Sequence, residues 1–174
     1  MIAYLDAKAR PKGTKWGARV NDEIRVFVSS DTDIILARHK GRTLAAGLGF
    51  STSDATLIAT AISELARNIV FYAGHGEIDI KRLERGGRTG VSVVARDGGP
   101  GIRDVDRAMQ DGYSTAGRLG RGLPGARRLM DEFEIVSEVG QGTCVTVTKW
   151  GVRRESSAST VRVPAAVCFA RKDD

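Results

Sequence analysis

Asp97-Gly98-Gly99-Pro100-Gly101-Ile102 follows directly on an apolar β run that contains Val91, Val93 and Val94. Glycine and proline do not sustain a strand ladder, so the chain must turn here. The turn leaves one carboxylate beside a backbone bare of side chains, a surface that a flat polar ligand can approach closely. Downstream lies a second glycine-rich run, Gly117-Arg118-Leu119-Gly120-Arg121-Gly122-Leu123-Pro124-Gly125, which reads as a loop entering a helix.

Working outward, Glu77–Lys81 and Thr89–Ala95 form a strand pair around a turn at Arg85-Gly86-Gly87-Arg88. An earlier strand spans Ile24–Val28. After it, Ser30 and Asp33 make a capping pattern for a helix whose stripe is Ile34, Ala37, Gly41, Leu44 and Leu48, ended by Gly47 and Gly49. A second helix is expected from Ser53 to Tyr72, with Ile58, Ile62, Leu65, Ile69 and Tyr72 on one apolar face. Along the edge of that face runs the row Leu57, Ala61, Glu64, Asn68. Glu64 and Asn68 are i, i+4 neighbours and project together from the border of a buried face.

Beyond Ile102 the pattern predicts a short helix near Val105–Met109 and a polar loop, Asp111–Gly117. Pro124 suits the first turn of a further helix, with Ala126, Leu129, Met130 and Phe133 as its buried stripe. Two strands, Glu134–Val139 and Thr143–Trp150, finish the domain around Gly140-Gln141-Gly142. Three segments result: a basic N-terminal arm over 1–20, a domain over 21–150 and an extension over 151–174, whose apolar piece Val161–Phe169 has no assigned place.

With 174 residues, 41% apolar and 28% charged, the chain is sized for one domain with a real core. The net charge of +6 resides in the flanks, +4 in residues 1–20 and +2 in 151–174, so the middle is neutral. A nucleic-acid binder carries its basic stripe on the folded face; solvated basic flanks are expected here, with no nucleic-acid partner. No apolar run reaches membrane-span length and no signal-peptide core opens the chain, which predicts a cytoplasmic protein without a membrane partner. Cys144 and Cys168 are too few and too unpatterned for a disulfide framework or a zinc site, and are expected as reduced thiols.

Gly120-Arg121-Gly122-Leu123-Pro124-Gly125 spells the dinucleotide fingerprint, but it follows a polar loop where that fingerprint requires a strand, and no Gly-Lys-Ser/Thr makes it a P-loop. Its physical content is a helix N-terminus with free amides, which suits a phosphate chain. A glycine-rich hinge without ligand and a solvated Glu64 with an incidental Asn68 are the alternatives; set together, the pieces make a complete nucleotide site. Asp97 is a candidate acceptor for the exocyclic amine of adenine, a contact that rejects guanine's carbonyl. Asn68 offers an oxygen to magnesium, an ion that binds through phosphates and keeps most of its waters. Glu64 is a candidate general base for an attacking hydroxyl or water.

Glu64-Leu65-Ala66-Arg67-Asn68, Asp97–Gly101, Gly120–Gly125 and Gly140-Gln141-Gly142-Thr143 resemble, in order, the N box and the three glycine boxes of the GHKL ATPase/kinase superfamily. Ala108–Gly117, Leu123–Phe133 and Thr148-Lys149-Trp150 further resemble the RsbT-type switch serine/threonine kinases, relatives of the anti-sigma-factor kinases. The resemblance runs over about residues 21–150. It implies an α+β fold, a two-layer sandwich of the Bergerat type with helices on one face of a mixed, mostly antiparallel sheet. It implies ATP and Mg2+ as cofactors, under a lid formed by residues 103–120. By resemblance, Asp97 reads adenine with support from Thr143, and Asn68 holds the magnesium. Gly99, Gly101, Ile102, Gly120, Gly122 and Leu123 complete the nucleotide site, and Glu64 is the catalytic base. The implied substrate is a serine or threonine hydroxyl on a STAS-domain antagonist or a stressosome-type scaffold in a bacterial stress response, with a PPM-type phosphatase or a sigma factor as further partner. Arg96 departs from the pattern; next to Asp97 on a strand, it is expected to face the opposite way.

A sensor histidine kinase core is the nearest rival, yet His39 and His75 do not lie in a helical hairpin ahead of the domain. Hsp90- and gyrase-like ATPases require a further domain that this length does not hold. A different class of alternative is an ATP-binding module with little or no catalysis that sequesters a sigma factor or phosphatase; Glu64 is the residue that separates the two.

Overall fold

β1 (Glu23–Val28) is built on alternation: Val26 and Val28 are buried while Phe27 faces out. In the computed structural model, which describes residues 23–110 and 122–151, β1 leads into α1 (Asp31–Gly47), capped as expected by Ser30, whose hydroxyl accepts from the Asp33 amide. Gly49 then adopts φ +85°, the left-handed turn that closes the helix end. α2 (Thr52–Asn68) starts one residue earlier than its sequence pattern indicated, because Ser51 is the cap and bonds the Asp54 amide at 3.0 Å. The two helices approach so closely at Gly41 that a side chain there would collide with Ile62.

Past Asn68 the chain does not continue as α-helix. Ile69–Ala73 forms a π-helical turn, closed by Gly74 at φ +78°. The wider π turn rotates the following residues off the α-helical stripe. Ile58, Ile62, Leu65 and Ile69 are buried as the periodicity predicts, whereas Tyr72 is 46% exposed. Its place on the apolar face is therefore corrected.

β2 (Gly76–Arg85) and β3 (Arg88–Asp97) form the expected hairpin, with Gly86 and Gly87 at φ +57° and +75°, the primed turn that matches strand twist. α3 (Val105–Ala108) is a single turn capped by Asp104. α4 (Gly122–Leu129) is followed by β4 (Glu132–Glu138) and β5 (Gly142–Trp150). Phe133 belongs to β4 and not to the preceding helix. The amide of Asp131 bonds the Thr148 carbonyl at 2.9 Å and Glu132 pairs with Thr148, so strand pairing starts before a further helical turn can form. Ala126 and Met130 of the predicted stripe are buried.

The sheet order is β1-β2-β3-β5-β4, and every neighbouring pair is antiparallel. The expected mixed character is absent among the described strands, and the topology explains why. The α1–α2 pair returns the chain in the opposite sense beside β1, and β5 inserts between β3 and β4, two strands that run the same way. The helices cover one face, where Val91, Val93, Val145 and Val147 meet α2 in a single core. Among the described residues no helix is long and apolar enough to cross a membrane. Residues 1–20, Asp111–Gly117, Gly120, Val161–Phe169 and Cys168 lie outside the described residues.

Candidate nucleotide site

Asp97 at the end of β3 and Thr143 on β5 are register partners on the helix-covered face of the sheet. Thr143 in turn faces Ser137 on β4. Ser137 Oγ accepts from the Ile102 amide (2.8 Å), donates to the Gly142 carbonyl (3.0 Å) and lies 2.9 Å from Thr143 Oγ1. A hydroxyl has one proton, so the threonine donates in this last contact and keeps its lone pairs free. The bend itself is strapped to the β4–β5 hairpin. The Gly140 amide bonds the Pro100 carbonyl at 2.8 Å, and Gly101, at φ +69°, sits where a Cβ would collide with the Glu138 carbonyl. The Gly99 amide donates to Asp97 Oδ1 at 2.9 Å, which fixes the carboxylate and leaves Oδ2 for a ligand.

Facing this assembly, the last turn of α2 carries Glu64, Arg67 and Asn68. Arg67 Nη1 donates to Glu64 Oε1 at 2.6 Å. The Asn68 amide lies against Gly122 at the start of α4, where a Cβ would come within 2.8 Å of Asn68 Oδ1. A glycine at this position is what keeps the amide accessible. Among the described residues no cluster of three or more His, Cys, Asp or Glu forms a protein cage for a metal. The donor set is a single amide oxygen, which fits an ion ligated mainly by phosphate and water.

Between the two halves lies a cavity of about 540 Å³, within the range of small-molecule sites. Glu64, Asn68, Asp97, Gly101, Ile102, Gly122, Leu123 and Thr143 all line it. Residues about 80 positions apart in sequence thus share one wall. Gly99 stands beside the cavity and not in its lining, packed against Ala73 and bonded to Asp97. Sequence reasoning missed Arg67, Phe71 and Tyr72, which also line the cavity, and Ser137, which supports it. The i, i+3 spacing of Arg67 from Glu64 was visible in the sequence. The role of Ser137 depends on cross-strand register, for which no local signal exists.

A family model described as the histidine kinase-like ATPase domain matches residues 27–149. At 50% identity over 131 residues, the chain is similar to the serine/threonine-protein kinase RsbT of Bacillus subtilis (strain 168), covering 98% of that protein and 75% of this chain. The chain belongs to the histidine kinase-like ATPase family, in its RsbT-type serine/threonine-kinase branch. The anti-sigma F factor of Thermoanaerobacter sp. (strain X514) is a more distant relative, 32% identical over 130 residues, with 71% of this chain and 90% of that protein covered. Among solved structures, the RsbU and RsbW domains of a Mycobacterium tuberculosis protein align with TM-score 0.51 at 22% identity, over 73% of this chain and 32% of that one, a likeness of fold. As a GHKL kinase the chain uses ATP.

The far face of the GHKL sheet is chemically separate. Arg96 does point away from the cavity, and its Nη1 reaches Asp79 Oδ2 at 2.7 Å while Arg25 Nε reaches Oδ1 at 2.6 Å. Burial alone would raise the Asp79 carboxyl, but the two guanidiniums hold it below the ordinary carboxylate range. Nearby Cys144 is half-buried and free, and burial pushes its thiol up, away from the reactive thiolate.

Proposed function

We propose that the chain phosphorylates a serine or threonine hydroxyl on a STAS-domain antagonist or stressosome-type scaffold, and that this transfer releases a phosphatase or sigma-factor pathway in the cytoplasm of a bacterial cell. The observation that supports this reading best is the convergence of Asp97, Asn68 and Glu64 on one cavity. A module that only sequestered a partner would have no need of a carboxylate at the position of Glu64.

In this reading Asp97 Oδ2 accepts from the exocyclic amine of adenine, with the Thr143 hydroxyl beside it. The amides at the start of α4 face the phosphates. Asn68 is the side chain that would hold magnesium, which when bound neutralises charge on the phosphate oxygens. Glu64 takes the proton of the acceptor hydroxyl, whose oxygen forms a bond to the terminal phosphorus as the bond to the departing ADP oxygen breaks. The relatives' names, a serine/threonine-protein kinase and an anti-sigma factor, support a partner-switching role.

Incubating the full chain with Mg-ATP and STAS-domain proteins encoded near its gene, followed by mapping of phosphate by mass spectrometry, tests the proposal. The expected product is a single phosphoserine or phosphothreonine on a STAS domain. Absence of transfer to every such protein, from a chain that binds ATP, removes the substrate assignment.

A further inference from the structure

The last turn of α2 places three polar side chains in the cavity wall, and the proposed chemistry uses two of them. The third, Arg67, is half exposed and bonded to Glu64, itself only a quarter exposed. An i, i+3 pair of this kind at a wet surface is weakly held and readily exchanged. A terminal phosphate is a better partner, because a guanidinium engages its oxygens through two parallel charge-assisted bonds. The carboxylate that Arg67 now occupies is the one assigned to proton abstraction.

We infer that Arg67 discriminates ATP from ADP: the terminal phosphate draws its guanidinium away from Glu64, which frees the carboxylate for the acceptor hydroxyl. This rests on the nucleotide reading of the cavity. A nucleoside diphosphate lacks the third phosphate that competes for Arg67, so in the ADP state the Glu64–Arg67 pair stays closed. The same movement that reads the third phosphate also exposes the base, which couples base availability to the presence of the correct nucleotide.

Calorimetric titration of the full chain with Mg-ATP and Mg-ADP separately tests the inference. Arg67→Gln should weaken ATP about ten-fold, the worth of a charge-assisted contact, and leave ADP within about two-fold. Glu64→Gln removes the competing charge and should tighten ATP about three-fold without altering ADP, a pair strength typical of exposed ion pairs. Arg67→Lys retains the charge without the planar fork and should fall between wild type and Arg67→Gln. Because ADP binding reports on folding in each variant, equal losses of ATP and ADP in Arg67→Gln, unchanged ATP affinity in that variant, or weaker ATP binding by Glu64→Gln would overturn the inference. A wild-type chain that binds neither nucleotide overturns instead the reading on which it rests.

Discussion

The two halves of the cavity are made of different materials. On the side of Asp97 the contacts are backbone contacts or are fixed by backbone: amides bond Pro100, Asp97 Oδ1 and Ser137, and glycines at 101 and 142 sit where any side chain would strike a carbonyl. On the side of Glu64 the contacts are between side chains of the last turns of α2, where Arg67 and Glu64 form an exposed ion pair. Under the proposed function, a planar base needs a rigid reader, and the strapped bend supplies one. Proton transfer, under the same function, needs groups that change partners, and the side chains at the end of α2 supply those. It follows that changes to the backbone strap on the first side should alter affinity and stability together, whereas changes to the side chains on the second should alter rate or ATP affinity and leave stability nearly unchanged.

Glu64→Ala is the sharpest test of that separation and carries the largest expected effect. Loss of a general base lowers the rate of phosphotransfer by roughly 10²- to 10⁴-fold. Because Glu64 is partly exposed and its bond to Arg67 is an exposed ion pair, the stability change should stay within about 0.5 kcal/mol. ATP affinity should not fall. Single-turnover transfer, thermal unfolding and an ATP titration on the same preparation measure all three, and a normal transfer rate would remove Glu64 as the base.

Gly101→Ala attacks the other half. The new methyl meets the Glu138 carbonyl, and φ +69° is unfavourable for any residue with a Cβ. Overpacking and left-handed strain together cost about 2–4 kcal/mol. The melting temperature should drop by roughly 5–15 °C, and ATP affinity should fall with it. If affinity fell while the melting temperature held, the strap would not be part of the folded framework.

These contrasts also explain what could be read before the structure was known. The helix-borne residues Glu64 and Asn68 were legible because 3.6-residue periodicity fixes which side chains share a face. Asp97 was legible because glycine and proline punctuate a strand end. Tyr72 was misplaced because nothing local announces the change from α to π turns after Asn68. Phe133 was assigned to a helix because its spacing from Ala126 and Leu129 fits one, and only pairing with β5 decides for the strand. The antiparallel character of the whole sheet depends on β5 entering between β3 and β4, a long-range event without a local signature. Ser137 was invisible for the same reason.

Asp97→Asn tests how the base is read without disturbing the frame. The Gly99 amide pins the acceptor oxygen of position 97, so the new NH2 group would turn toward the cavity and meet the adenine amine donor to donor. Losing a hydrogen bond to a charged acceptor lowers ATP affinity roughly 10- to 100-fold. The same NH2 group suits guanine's carbonyl, so the ratio of ATP to GTP affinity should shift by about ten-fold or more. Thermal stability should change little. Unaltered ATP binding in a competition titration would take adenine away from Asp97.

Ser137→Ala gives the smallest effect and probes the join between base reader and strap. The hydroxyl ties the Ile102 amide to Thr143, and removing it leaves that amide without its side-chain acceptor and frees the threonine proton. The cost should be about 1–2 kcal/mol of stability, the penalty of a part-buried donor left unpaired. Thr143 would then rotate, so ATP affinity should fall roughly three-fold, less than for Asp97→Asn because the carboxylate contact remains. Hydrogen exchange at Ile102, slow in wild type and faster in the variant, would show that the loss passes through the strap. An unchanged exchange rate together with lower affinity would mean that Ser137 acts on the nucleotide directly.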